Sequence, residues 1–530
     1  MREVISCEAL RRLMDSGEDY ALLDIREQGE YSGGHIRGAT SLPRAAIEFR
    51  IAELVPVRFT PIVVVGDGGA RAGLAAETIR GIGYKETYEL AGGLPSWVES
   101  GFPTATGVNV PSKEFGEKVH LEERVPEIEP EELHRLASQR ERILILDART
   151  PEEYRRFCIP GGLSVPGGDL ILWAGDLMRD PKATVVVNCA GRTRSIIGTQ
   201  TLRHLGLTNV FALKNGTMGW LLAGLELELK PGRATPAPSP SSRKEAEKLA
   251  SRVAQEEEIA RISVSELQAL LAGRESRTLY PIDVRSSEEY LSGHIPGFLW
   301  IPGGQAVQRA DDYIAVRSGT IVFACDRMAG ATMAAYWYKK MGFKNVCILD
   351  GGVRAWGENG LEIERGRPAR RALGLDRASG RVRYIPAKEL AALIKDPKGV
   401  SILDVGTSAQ YRSGHIPGAY WISRGWLEEK IAAILSDRGR PIVVTCPSGD
   451  PSTLAGATLT ELGYDEVSVL EGGTERWKSE GRPLEKGLTR PLAEANDLVV
   501  SASVTGDLQA MQRYLDWEIE LGRKYGKGPA

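Results

Sequence analysis

Cysteine is scarce in this chain, six residues in 530, too few for a disulfide framework. Free thiols in a reducing cytoplasm are therefore expected. An excess of charge of one sign is also lacking. Lys and Arg number 67 against 70 Asp and Glu, a net charge of −3, so no global field draws the chain to nucleic acid or an anionic membrane. No apolar run approaches the roughly 20 residues of a membrane span. The first residues, MREVISCEALRRLMDSGEDY, carry early acids and no apolar core, and no secretory leader is expected there. What remains is an ordinary globular composition, 42% hydrophobic and 26% charged.

The chain is rich in one respect: it repeats. Asp24, Asp147, Asp283 and Asp404 each open a stretch with Tyr seven residues on (Tyr31, Tyr154, Tyr290, Tyr411). Forty-two residues after each Asp begins a small polar loop, at Gly66, Cys189, Cys325 and Cys446. Seventy-three residues after it stands a Trp (Trp97, Trp220, Trp356, Trp477). Chance does not hold three offsets over four copies, and intervals of 123, 136 and 121 residues between the Asps suit separate domains of about 100–150 residues.

Each copy reads strand, helix, strand, helix. In the second, ILILDAR and ATVVVNC are buried strands, Ser195 to Leu205 has helical spacing, and NVFALKNG ends in an Asn-Gly turn. Alternation of this kind implies an α/β fold, a parallel sheet with helices on both faces, four times over. The copies are placed at 1–115, 120–232, 259–368 and 378–487. Residues 233–258 form a Pro/Ser spacer followed by a charged, solvated helix, and 488–530 a tail with a helix whose Leu508, Met511, Leu515 and Ile519 suit docking. The segment near Lys113–Pro130 reads as a short acidic connection. The long spacer between copies two and three suggests pairs of one with two and three with four, copy one then walling the cleft of copy two. The four Trp residues are expected as packing anchors, and the Gly-Gly pair before them as a tight reversal or close backbone approach.

Only copy two carries a complete loop, Cys189-Ala190-Gly191-Arg192-Thr193-Arg194-Ser195, after a buried strand and before a helix. With LILDAR…EEY upstream, Gly-Trp downstream, and LLDIR…GEYSGGHIRGA, PIDVR…EEYLSGHIPG and ILDVG…AQYRSGHIPGA in the other copies, the chain resembles the rhodanese (sulfurtransferase) family over roughly residues 1–485. A Cys at such a turn meets converging N–H groups and the positive end of a helix, and Arg192 and Arg194 add charge, all favouring thiolate. Small Ala190, Gly191 and Thr193 let the loop curl into an anion cradle.

The resemblance implies a sulfurtransferase without cofactor or metal. Cys189 takes the outer sulfur of thiosulfate or a similar donor as a persulfide, and cyanide or a thiol acceptor removes it. Arg194 is then the loop's orienting and steering cation. Ala190, Gly191, Arg192, Thr193 and Ser195 line the donor, with Arg192 facing solvent. A sulfur carrier or scaffold delivering persulfide to a protein partner is the alternative. Phosphatases of this fold have five residues between Cys and Arg, whereas four separate Cys189 from Arg194.

Copy one has Gly66 in place of the thiol. Copy three keeps Cys325 but has Gly330 for the loop's closing Arg, with Arg327 as a partial substitute. Copy four surrounds Cys446 with Pro447, Asp450 and Pro451. Cys325 and Cys446 are secondary candidates. Cys158 is a third, standing where the other copies have His35, His294 and His415. It is expected as a packed replacement, with a resolving thiol as the alternative. Asp147 and Arg149 are expected as a structural ion pair.

Overall fold

The computed structural model describes residues 3–139, 141–369, 371–396 and 399–525. Each copy forms a five-stranded, all-parallel sheet of one strand order. In copy two the strands run Leu163–Ser164, Ile143–Asp147, Thr184–Asn188, Val210–Leu213, Glu127–Ile128. Ile143–Asp147 and Thr184–Asn188 pair with Asp147 opposite Asn188. Both strands therefore end at one edge, and the residues that follow them, Ala148 and Cys189, emerge side by side. Val-rich central strands with every interior position buried are what a sheet covered on both faces requires.

The repeated residues are fixtures of this frame. Arg149 and Asp147 pair at 2.7 Å and are both buried, and the Arg149 guanidinium also donates to the Phe157 carbonyl. The Tyr154 hydroxyl donates to the Gly162 carbonyl at 2.8 Å. Each Trp ring nitrogen donates to the carbonyl six residues on: Trp97 to Pro103, Trp220 to Glu226, Trp356 to Glu362 and Trp477 to Pro483. The indole so ties down the strand that leaves the domain.

The copies pair differently from the reading of the spacers. Met1–Val108 with Ala369–Val499 make one compact unit, and Asn109–Pro368 with Val500–Ala530 the other. Copy one packs with copy four, and copy two with copy three. The reason lies twenty residues after each opening Asp. Copies one and four have Arg44 and Arg424 there, and Glu48 and Glu428 four residues later. In their unit Arg44 bonds Glu428 at 2.9 Å and Arg424 bonds Glu48 at 3.0 Å, a reciprocal clasp in which Arg44, Arg424 and Glu48 are buried and Glu428 half-buried. Copies two and three have Gly167 and Gly303 at that position, followed by Gly168 and Gly304. A Cβ on Gly168 would lie 3.0 Å from the Gly303 Cα, so the two backbones meet where a side chain would separate them.

Segments read as connections are built in. Val110–Glu122, taken from sequence as part of an acidic linker, is a helix with Ser112, Lys113, Glu114, Phe115, Glu117 and Val119 buried. Pro240–Glu256 is not a solvated helix: Ala246, Leu249, Ala250, Val253 and Ala254 are buried, and it packs against Leu170–Leu177 of copy two and Ala329–Lys340 of copy three. It spans that pair rather than spacing it. The C-terminal helix, Leu508–Tyr525, packs on Val110–Glu122 and on Gly216–Leu222. Met511 and Leu515 are buried against Met218, while Leu508 is exposed. Among the described residues no helix is long and apolar enough to cross a membrane.

Candidate active site

The loop between strand Thr184–Asn188 and helix Thr193–Leu205 is held from below by the turn at Asn215-Gly216. Thr217 N–H donates to the Cys189 carbonyl at 2.8 Å and Met218 N–H to that of Ala190 at 3.1 Å. Gly216 has φ +57°, and a Cβ there would lie 2.3 Å from the Cys189 oxygen. The second glycine of the pair stands equally close to its loop in every copy: Gly93 to Gly66, Gly352 to Cys325 and Gly473 to Cys446. Both demands, positive φ and close approach, fall on one residue.

The Cys189 thiol is 2% exposed and lies 3.4 Å from Ser195 Oγ, to which it donates. The Ser195 hydroxyl donates in turn to the Arg192 carbonyl at 2.8 Å. Burial raises the thiol above its ordinary value, opposed by the Arg194 charge and by the hydroxyl and N–H of Ser195, and reinforced by Glu518. Loop charge by itself favours the thiolate. Desolvation outweighs the nearby cation.

Neither arginine is free. Arg194 makes a bidentate pair with Glu153 at 2.7 and 2.8 Å. Burial would raise the Glu153 carboxyl, but the Arg194 charge, that pair and the Thr150 N–H hold it at about 2. Arg192, expected to face solvent, is 4% exposed. Its fork grips Glu117 at 2.6 and 3.0 Å, and Nη1 reaches Glu127 at 3.2 Å and Asn215 at 3.1 Å. It staples the loop to helix Val110–Glu122 and to the turn beneath. Thr193 and Gly191 face the C-terminal helix. Thr193 Oγ1 donates to Glu518 Oε1 at 3.4 Å, and a Cβ on Gly191 would lie 2.9 Å from Glu518 Oε2.

Beside Thr193 and Arg194 opens a cleft whose walls come from equivalent positions of copies two and three. Gly167 faces Gly303, Ile197 answers Met333, and Thr201 answers Trp337, whose ring nitrogen donates to the Thr201 hydroxyl at 3.0 Å. Gly167, Gly168, Gly303 and Gly304 all line this cleft. Four stretches of the chain, residues 6–100, 129–223, 263–359 and 386–480, match the model of the rhodanese-like domain. The chain belongs to the rhodanese family. A crystal structure of a thiosulfate sulfurtransferase from Pseudomonas aeruginosa shares 37% identity, covering 99% of this chain and 98% of that one, with a TM-score of 0.92. A putative thiosulfate sulfurtransferase of Synechococcus elongatus is 24% identical over 269 residues, 41% of this chain and 82% of the relative. The 3-mercaptopyruvate sulfurtransferase of Escherichia coli K12 is 25% identical over 240 residues, 37% of this chain and 84% of the relative. A rhodanese-type transferase is the reading these relatives support.

The other rhodanese loops are closed in distinct ways. In copy one, Arg71 is buried among Glu30, at 2.8 and 2.6 Å, and Asp67, at 2.6 Å, and lies over the Trp426 ring. In copy three, burial pushes Cys325 up to about 12, against the N–H groups of Ala331 and Arg327. Arg327 does not compensate for the missing loop arginine: its side chain is 56% exposed and lies beside Asp326. In copy four, Pro447 and Pro451 do remove donors, yet Gly449 and Ser452 N–H groups reach Cys446 Sγ at 3.1 and 3.3 Å. Burial still raises that thiol, and no arginine stands at position 451.

Cys158 is buried, donates to Glu228 Oε2 at 3.9 Å, and is pushed up to about 11 by burial and the Glu228 charge. That is the environment of a packed thiol. His35, His294 and His415 each stack on the Tyr four residues earlier and share a hydrogen bond with its carbonyl through Nδ1. Among the described residues no group of His, Cys, Asp and Glu is arranged to hold a metal.

Sequence reasoning missed Glu153, Glu117, Tyr514 and Glu518. For Glu153 a signal existed. Six residues after the opening Asp stand Glu30, Glu153, Glu289 and Gln410, and the loop arginine occurs only in the first two copies. In copy three, where Gly330 replaces the loop arginine, Glu289 keeps the cap on its own helix through Ser286 that Glu153 makes through Thr150. Glu117, Tyr514 and Glu518 lie outside the repeats, where no grid marks them.

Proposed function

We propose that this protein is a sulfurtransferase that moves sulfane sulfur from thiosulfate or a similar donor to a thiol or cyanide acceptor through a persulfide on Cys189. One observation carries the reading: copy two alone joins a loop thiol, a loop arginine held by Glu153 and a hydroxyl at Ser195, beside a cleft left open by glycines. The Cys189 thiolate attacks the outer sulfur of thiosulfate. The sulfur–sulfur bond to the sulfonate breaks, its electron pair leaves with sulfite, and the outer sulfur stays on Cys189 as a persulfide anion. An acceptor thiolate or cyanide then attacks that terminal sulfur and Cys189 departs as thiolate.

The chain's own groups serve both anions. The Ser195 hydroxyl, free to turn from the Arg192 carbonyl, donates to the sulfur when it is charged. Arg194, fixed by Glu153, offsets the charge at the loop without swinging away. The narrow loop of Ala190, Gly191, Arg192 and Thr193 closes around one sulfur atom. Six cysteines without a disulfide among them suit the cytoplasm as its place of work. Initial rates with thiosulfate and cyanide varied together test the reading. Parallel double-reciprocal lines, with activity abolished in Cys189→Ser, are expected. Intersecting lines, or activity retained by the variant, would overturn it.

A further inference from the structure

Copy three lacks the closing arginine of its loop, and the position it left lies on the cleft beside the Cys189 loop. Five residues after the first of each loop stand Arg71, Arg194, Gly330 and Pro451 in copies one to four. Arg194 and Gly330 both line the cleft, one from each copy of the pair. A Cβ on Gly330 would meet nothing nearer than 3.8 Å, where Cys325, Gly168 and Val284 stand. A methyl group therefore fits, and a longer side chain takes cleft volume. We infer that the cleft is an acceptor subsite, taking the carbon body of a small apolar thiol, and that Gly330 is the residue that admits it.

The two walls differ in kind. Thr193 and Arg194 on the copy-two wall belong to the Cys189 loop itself, so the sulfur of an acceptor is placed at that side. The copy-three wall offers Val307, Met333, Ala334 and Trp337, all buried and apolar, and the Trp337 ring nitrogen is spent on the Thr201 hydroxyl at 3.0 Å. Among the described residues Arg194 is the one charged residue lining the cleft, and it is committed to Glu153 at 2.7 and 2.8 Å. A thiol that carries a carboxylate or an ammonium group finds no free counter-charge there, and burying such a group unpaired is costly. An apolar body instead gains with every methylene that leaves water. The step balances without an oxidant. The acceptor's sulfur bonds to the outer sulfur of the Cys189 persulfide anion, and the bond from that sulfur to Cys189 breaks with its electron pair leaving on Cys189 as thiolate. The proton of the thiol ends on the transferred sulfur, and the product is an organic hydropersulfide.

The inference rests on the persulfide reading of Cys189, and single-turnover discharge separates the two. The full chain is loaded with thiosulfate and freed of excess donor. It is then discharged by ethanethiol or 1-butanethiol over a range of concentrations, the remaining persulfide being followed by intact mass. The two thiols share a reacting group and an acidity, and differ by two methylenes. The concentration giving half the maximal discharge rate should be about tenfold lower for butanethiol. 1-Butanol, which has no sulfur to accept, should compete with butanethiol and leave discharge by cyanide unaltered. These comparisons need only the native chain. In Gly330→Leu the preference for butanethiol over ethanethiol should fall to about twofold or less, and in Gly330→Ala it should persist. Each variant is read as a ratio of two thiols, which a general loss of activity does not imitate. Equal half-saturation by the two thiols in the native chain, or a preference that Gly330→Leu leaves intact, overturns the inference while the persulfide stands. A native chain that takes no sulfur from thiosulfate overturns the Cys189 reading and the inference with it.

Discussion

At the scale of single residues, the site shows charge being spent on position. Arg194 and Arg192 could each have met an anion directly. Instead each grips a carboxylate in a bidentate fork, a geometry that lysine cannot reproduce. The Cys189 thiol is buried among them, and desolvation raises it above its ordinary value. The consequence is a pH dependence of known sign. The thiol is raised above its ordinary value, so the reactive thiolate is a minority at neutral pH and grows as pH rises through and beyond the usual thiol range. Alkylation of Cys189 by neutral iodoacetamide should climb about tenfold per pH unit from pH 7 to 9 without a plateau; a plateau below pH 8 would contradict this. The Cys, the arginines and the closing hydroxyl were all legible, because they sit on the repeat grid. The role of Arg192 was not: its partner Glu117 lies in a segment whose helical register no repeat reveals.

Elements outside the repeats explain what the grid leaves unsaid. Helix Val110–Glu122 and the C-terminal helix Leu508–Tyr525 pack on each other and on the loop region of copy two. The tail's Met511 and Leu515 were visible as an apolar stripe at helical spacing. Its destination was not, because amphipathicity names a buried face without naming what buries it. Leu515 is fully buried against Met218 and Met511. Leu515→Ala should cost about 2–5 kcal/mol of the docking of this helix, read as faster hydrogen exchange across 508–525 and faster iodoacetamide alkylation of Cys189. Unaltered exchange there would show that the helix is held by something else. Pro240–Glu256 teaches a related lesson. Its Lys and Glu content reads as a solvated spacer, yet Ala246, Leu249, Ala250 and Val253 supply a face narrow enough to be overlooked and sufficient to join copies two and three.

For the whole molecule, four copies of one α/β frame were readable from three fixed offsets, but which copies associate was not read from them. Linker length misled, since a long segment that folds into a helix no longer acts as a spacer. The information was present at another offset: Arg and Glu four residues apart in copies one and four, and glycine pairs in copies two and three. Buried reciprocal ion pairs are a strong specifier, because leaving one charge unpartnered costs about 3–5 kcal/mol. Glu428→Arg should therefore destabilise the unit of copies one and four by about that amount in thermal unfolding, and Arg44→Glu added to it should recover much of the loss. If the double variant is no more stable than the single, the clasp does not specify the pair. The same divergence leaves the complete Cys–Arg loop in one unit only. The Arg–Glu clasp joins copies one and four, glycines meet between copies two and three, and the complete loop lies beside the cleft of that second pair.

The central claim is that Cys189 carries the transferred sulfur, and intact mass tests it most directly. The fully reduced chain is exposed briefly to thiosulfate or methanethiosulfonate, then weighed beside Cys189→Ser. The account predicts a gain of one sulfur atom, discharged by cyanide and absent from the variant. A variant that gains the same sulfur would place the chemistry on Cys325 or Cys446, and a native chain that gains none from either donor would leave the carrier or scaffold reading in its place.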